Sequence, residues 1–226
     1  MATLGNSNQI IVGAAQMFVS TAGALEYVTG SGSGSAAVYN FGSGSVSSLP
    51  AFTSDGTTYA DKMDSSANFR NVGFTMNGLE VQFQPDFGEV QVDQLLDVAK
   101  LYKQGMQVNM VTAFAEATLT NLLVSIAGSD TDLEETANID TLTINSGELG
   151  SVPVERALVA VGPGSGDPEA VGATKVERVY VANRALSIDS VTVSAKRDTP
   201  SMFEVSFRLL PASNGSYGKI VDRVRG

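Results

Sequence analysis

NVGFTMNGLEVQFQPDFGEVQVDQLLDVAKLYKQGMQVNMVTAFAEATLTNLLVSIAG, residues 71–128, changes hydrophobic period partway along, and that change decides the fold. Val81 and Phe83 alternate with Glu80, Gln82 and Gln84. Val90 and Val92 likewise oppose Glu89, Gln91 and Asp93, and Met106, Val108 and Met110 oppose Gln107 and Asn109. A period of two puts successive side chains on opposite faces of a sheet, so each strand has one dry and one wet face. Strands are expected near 72–76, 79–84, 88–93, 98–102 and 105–115. Then Leu119, Leu122, Leu123 and Ile126 fall at i, i+3, i+4 and i+7, the stripe of one short helix packed on the sheet as core. Thr118 can cap its start, and Gly128 stands where a left-handed C-cap is expected.

On either side of this stretch the chain is also β-like. QIIVGAAQMFVS (9–20) reads as an opening strand, and further strands are expected at 139–144, 152–161, 174–182, 186–195 and 202–210. Between them the composition shifts. GSGSGS at 30–35 and GSGS at 42–45 are flexible-linker chemistry, so 27–70 reads as a long surface loop or arm. Tyr39, Phe41, Phe52 and Tyr59, spaced through it, suggest an arm that orders against a neighbour. Residues 214–226 form a second, basic arm carrying Lys219, Arg223 and Arg225. The chain therefore reads as a single mainly β (α+β) domain over 1–226. Two packed antiparallel sheets would form a sandwich or barrel, with one flanking helix and long loop and terminal arms.

A formal charge of −10 and a sequence pI near 4.4 argue against tight nucleic-acid binding, which needs clustered Lys and Arg to displace counterions. The same balance suits a conduit. A wet face of amides and carboxylates, nearly free of lysine and arginine, is one along which a polyanion passes without sticking. With no cysteine or histidine, zinc sites of the usual kind, thiol nucleophiles and Ser–His–Asp relays are excluded, and no catalytic residue, metal or cofactor is expected. Residues 1–16 lack the basic and apolar regions of a signal peptide, and no apolar run approaches the ~18 residues of a membrane-spanning helix.

The remaining chemical signals are weak. VGPGSGDPEAVG has no GK[ST], and neither glycine cluster sits in a βαβ unit, so a phosphate loop is not supported. Asp130, Asp132, Glu134 and Glu135 are spaced loosely like a calcium loop but lack its glycine and full ligand set; a solvated acidic loop is the simpler reading. Glu80, Glu89 and Asp93 could supply a glycosidase pair, but the chain has no tryptophan to line a sugar cleft.

From Val90 to Ile126 the pattern resembles the major tail (tail tube) proteins of tailed bacteriophages. The likeness rests on Val92-Asp93-Gln94 ending a strand, the turn at Lys103-Gln104-Gly105, and Ala115 to Leu119 opening a helix. ERVYVANRAL (177–186) and SMFEVSFRLLPAS (201–213) are similar to the family's Arg–aromatic and closing strands. The likeness runs from Gly13 to Ser213, although the Gly/Ser-rich excursion is longer than the family's loops. It implies a structural virion protein, made in the host cytoplasm and located in the tail. Six copies would close into rings, and the rings would stack into a tube through which double-stranded DNA passes transiently and without sequence preference. It also implies a tape measure protein, a tail terminator and tail-tip or baseplate proteins as partners. The residues expected to face the lumen are Glu80, Gln82, Gln84, Glu89, Gln91, Asp93, Gln107 and Asn109. Those expected to stack rings are Tyr39, Phe41, Phe52, Tyr59, Lys219, Arg223 and Arg225. The tube protein of a contractile injection or secretion system and a soluble β-sandwich binding module are the alternatives.

Overall fold

The computed structural model describes residues 13–28, 38–41, 48–91, 98–146, 153–165, 176–193, 197 and 201–224. The strands are β1 (Gln16–Ser20), β2 (Glu26–Val28), β3 (Val38–Asn40), β4 (Phe69–Asn71), β5 (Thr75–Gln91), β6 (Val98–Phe114), β7 (Leu133–Glu135), β8 (Asp140–Leu142), β9 (Arg156–Pro163), β10 (Glu177–Ser187), β11 (Phe203–Leu210) and β12 (Gly218–Arg223). Two short helices, α1 (Tyr59–Asp64) and α2 (Leu119–Ser125), and a 3-10 turn at Asp130–Asp132 complete the described elements. The mainly β, sandwich-like class expected from the alternation is the one observed. Its layers come from one eight-stranded antiparallel sheet, in the order β4-β1-β9-β10-β11-β6-β5 with β12 also on β10, and not from two separate large sheets.

Chain connectivity forces that sheet to curl. β4 and β5 lie at opposite ends of the strand order, yet only residues 72–74 join them. Laid flat, seven strands ~4.8 Å apart would separate those edges by about 29 Å, whereas four residue steps span at most ~14 Å. The link is pinned on both sides: Val72 N donates to Met17 O of β1 at 3.0 Å, and Ala115 N to Phe74 O at 2.9 Å. Gly73 makes the turn with φ +83°, and the Glu116 carboxylate, which accepts from Phe74 N at 2.9 Å, occupies the place of a Cβ there. The edges meet at this end only, and β4 and β5 form no ladder.

Each face of the sheet carries a core. On one, Met17, Val19, Leu158, Ala160, Val205, Phe207, Met110 and Phe114 pack with Leu122 and Val124 of α2. On the other, Phe18, Val159, Val161, Val179 and Val181 pack with Leu25, Leu49, Tyr59, Met63 and Phe69. Hence β1 and β9 are apolar on both sides, as expected for strands covered twice.

Helix α2 starts as read: Thr118 Oγ1 accepts from Asn121 N at 3.2 Å. Its apolar stripe is only half core. Leu123 is 1% exposed and Leu122 is partly buried, but Leu119 and Ile126 are 38% and 40% exposed. The inward arc is instead Asn121–Leu123–Val124–Ser125. The Asn121 amide bonds Val72 O at 2.9 Å and Glu116 O at 3.0 Å, and its carbonyl accepts from Arg70 at 2.7 Å. That polar anchor, tying α2 to the 72–74 link, rotates the helix relative to a purely hydrophobic docking. The left-handed residue after the helix is Ala127 (φ 54°) and not Gly128, which donates to Leu123 O at 2.9 Å in a Schellman closure.

Several boundaries move: the strands expected at 98–102 and 105–115 are the single strand β6, and those at 174–182 and 186–195 are replaced by the single strand β10. The expected strands 79–84 and 88–93 are one strand, because β5 lies at the sheet edge, where Pro85 removes no needed donor. The C-terminal arm is the strand β12, paired with β10 from Glu177↔Arg223 to Ala182↔Gly218. The second half of the 27–70 arm, from Ser48 onward, holds α1 and β4 and contributes Leu49, Tyr59, Met63 and Phe69 to a core.

Leu123→Ala is expected to cost about 2–5 kcal/mol in urea unfolding, and Leu119→Ala under ~1 kcal/mol. Equal costs would mean that α2 docks by the sequence stripe after all.

Candidate polar wall and its supports

In β5, Glu80, Gln82 and Gln84 pair with Val111, Asn109 and Gln107 of β6, so these five polar residues share one face. β11 adds a third row, with Ser206 opposite Val111 and Arg208 opposite Asn109. The reverse face carries Val81, Phe83, Val108, Met110, Val205 and Phe207, most of which belong to or pack on the first core. The second core contains no residue of β5, β6 or β11. Among the described residues, therefore, nothing from either core covers the polar wall. Gln82 Nε2 donates to Glu80 Oε1 at 2.9 Å and Gln107 Nε2 to Asn109 Oδ1 at 3.4 Å, so the amides bond along their own strands. Glu204 and Asp86 extend the wall, giving three carboxylates with Glu80 against the one guanidinium of Arg208.

The structure brings together five of the eight expected lumen residues. Glu89 is not among them: it lies on the same strand past a register shift at Asp86/Phe87, opposite Leu101 and at a position of opposite parity to Gln82 and Gln84. The side chain of Gln91 lies outside the described residues. Asp93 lies outside the described residues. Glu204, Ser206 and Arg208 were missed, although FEVSFRLL alternates as clearly as the β5 segment does.

Beyond Pro85 and Met106 the β5–β6 hairpin becomes a ribbon exposed on both faces. Phe87, Val90, Leu101 and Tyr102 are all exposed there, Leu101 by 60%. Gly88 lets Tyr102 cross over its backbone, where a Cβ would stand 2.6 Å from the ring and 2.5 Å from the Gln104 amide. Under the ribbon an apolar groove of about 320 Å3 is lined by Phe83, Met106, Val108, Tyr180, Tyr217 and Ile220. Tyr217 Oη donates to Met106 O at 2.6 Å and ties the C-terminal segment to β6.

The described residues among those expected to stack rings have partners within the chain. Phe52 stacks on Tyr59 at 4.7 Å, and Phe41 tilts against Phe69 at 5.6 Å. Lys219 Nζ sits 4.3 Å from the Phe52 ring and 5.5 Å from that of Tyr39, and burial holds its ammonium below the usual lysine range. Burial likewise pushes the Tyr59 phenol up. Arg223, almost wholly buried, pairs with Glu177 at 2.7 Å and Asp55 at 3.1 Å and donates to Thr57 O at 2.8 Å. Lys62 completes this clasp on Asp55 at 2.6 Å. Aromatic and cationic residues flanked by Ser and Gly look like arms locally; the contacts that join the two segments, Lys219 on Tyr39 and Phe52 and Arg223 on Asp55, span more than 160 positions. Arg225 lies outside the described residues.

The acidic loop after α2 has its own uses. Asp130 pairs with the buried Arg156 at 2.7 Å, and Asp132 accepts from Ser129 N at 3.0 Å as a cap. Among the described residues no group of three or more carboxylates is placed to hold a metal ion, and no helix is long and apolar enough to cross a membrane. No protein-family model matches the chain, and no curated protein matches it in sequence.

Lys62 holds the Asp55 carboxyl below its ordinary value of 3.8. A depressed carboxylate contributes stability above its unfolded pKa and loses it as pH falls through the folded one. Proteolysis within 53–64 is therefore expected to be flat from pH 5 to 9 and to rise below about pH 4. Arg223→Ala should raise it at every pH; cleavage equal to wild type at pH 7 would show that the clasp is not what holds the segment.

Proposed function

We propose that this chain is a structural, self-assembling tube subunit of the tail-tube kind, with the polar wall of β5, β6 and β11 lining the bore. The observation that carries the reading is the register that gathers Glu80, Gln82, Gln84, Gln107 and Asn109 on a sheet face that, among the described residues, neither core covers. The outer edge of β5 supports it. Among the described residues no strand pairs with the outer side of this seventeen-residue strand, an open edge that invites pairing with another chain. Identical copies that use one such edge head to tail give a ring if the rotation closes. With six copies at −10 each, a ring carries on the order of sixty negative charges, enough to repel phosphate across a Debye length of about 8 Å.

The wall's chemistry fits passage and not capture. Amides hold a layer of water, carboxylates repel the phosphates, and Arg208 is the only cation among its named rows. Double-stranded DNA in such a bore meets no deep well. On this reading the protein works in the virion tail, alongside tape measure, terminator and tip proteins, and performs no covalent chemistry.

Electron microscopy of the purified chain across a concentration series should show rings or hollow rods. A chain that stays monomeric at the highest concentrations sinks the proposal. In assembled rods, Gln82→Lys with Asn109→Lys should retain added duplex DNA at low salt where wild type does not. Equal retention would move the wall away from the bore.

A further inference from the structure

We infer that the outer segment of β6, Lys100-Leu101-Tyr102-Lys103, docks against the acidic β7–β8 hairpin of a second copy and joins subunits end to end. The inference deepens the tube reading and rests on it for the identity of the partner, a copy of this chain.

β11 covers the β6 edge only from Asn109 to Phe114, so among the described residues the edge of the ribbon beyond Gln107 has no ladder partner on that side. On this segment Lys100 shares one face with Tyr102 and Lys103 the other with Leu101, so each face presents a cation beside an apolar side chain. Lys100 and Lys103 flank the exposed Leu101 and Tyr102, and neither lysine pairs with a carboxylate among the described residues. An unpaired edge with its own cations can add to another strand by main-chain bonding, the side chains setting specificity.

The complementary surface lies on β7 and β8. Glu135 stands directly opposite Asp140 in that two-stranded ladder, with Glu134 beside it, all three exposed. Like charges directly opposite each other destabilise a strand pair, and among the described residues no cation sits on these three to relieve it. Ile139 and Ile144, exposed by 68% and 80%, flank the same strand, and a two-stranded hairpin of this size is marginal alone. Lysines spaced along an incoming apolar strand meet both deficits.

The two surfaces cannot meet within one copy along the strand axis. Lys103 lies eleven residues from Phe114, roughly 36 Å at ~3.3 Å per residue, and α2 with its acidic hairpin follows from the Phe114 end. Surfaces at opposite ends of one chain give a heterologous, head-to-tail contact, the kind that propagates along an axis.

The absence of cysteine makes the test direct. Leu101→Cys and Thr141→Cys proteins, prepared separately, are mixed under assembling conditions and treated with a short bismaleimide. A crosslinked dimer containing one copy of each is expected, weakened at 1 M salt, where the Debye length falls to about 3 Å. Separately, Lys100→Glu with Lys103→Glu should lower the rod fraction at least about tenfold, and adding Glu134→Lys with Glu135→Lys to the same chain should restore it. Circular dichroism confirms that each variant folds. Rods without the mixed crosslink, or rods indifferent to the charge reversal, overturn this inference and leave the tube standing. A wild-type chain that never assembles overturns both.

Discussion

A three-residue strap governs this molecule. Because residues 72–74 must connect the two ends of the strand order, the sheet cannot lie flat, and its curl creates an inside, where the first core sits, and an outside. The strap is strongly held. Asn121 from α2, Glu116 and the β1 carbonyl of Met17 all bond to it, so α2 is placed by polar contacts to the strap as much as by its leucines. Burying those groups is tolerable only because each finds a partner.

The curl also allocates cover. The second core wraps the outside of the sheet from β4 to β12 and stops there, leaving β11, β6 and β5 bare among the described residues. Bare sheet needs a polar face, and the Gln, Asn and Glu rows supply one. Farther out, the ribbon loses even the first core. About 55 Å of continuous strand, at ~3.3 Å per residue, is more than this body can cover. A long, partly apolar ribbon with open edges is costly in a monomer and useful in an assembly, which is why the polar wall, the free edges and the tube reading belong together.

Much of this was legible in residues 71–128. Alternation named the strands, Thr118 named the start of the helix, and the polar set 80, 82, 84, 107 and 109 was correctly grouped because each lies within one unbroken run of period two. Glu89 falls outside that group because the strands expected at 79–84 and 88–93 are one strand, with no break at Pro85. A proline is permitted at an edge, and only pairing shows that β5 is one. The aromatic residues of 39–59 and the basic residues 219 and 223 looked like free arms because local composition does not reveal partners more than a hundred positions away, as with Tyr59 and Glu177.

By itself, then, the sequence determined what depends on neighbours along the chain: strand period, helix cap, acidity, and the exclusion of thiol and imidazole chemistry. The tertiary structure alone decided which face of each strand is covered, that Arg223 is a buried clasp and not a tether, and that Leu119 and Ile126 stay wet. The physical reason is that periodicity is fixed by backbone geometry over a few residues, whereas cover is fixed by which distant strands the 72–74 strap brings into register.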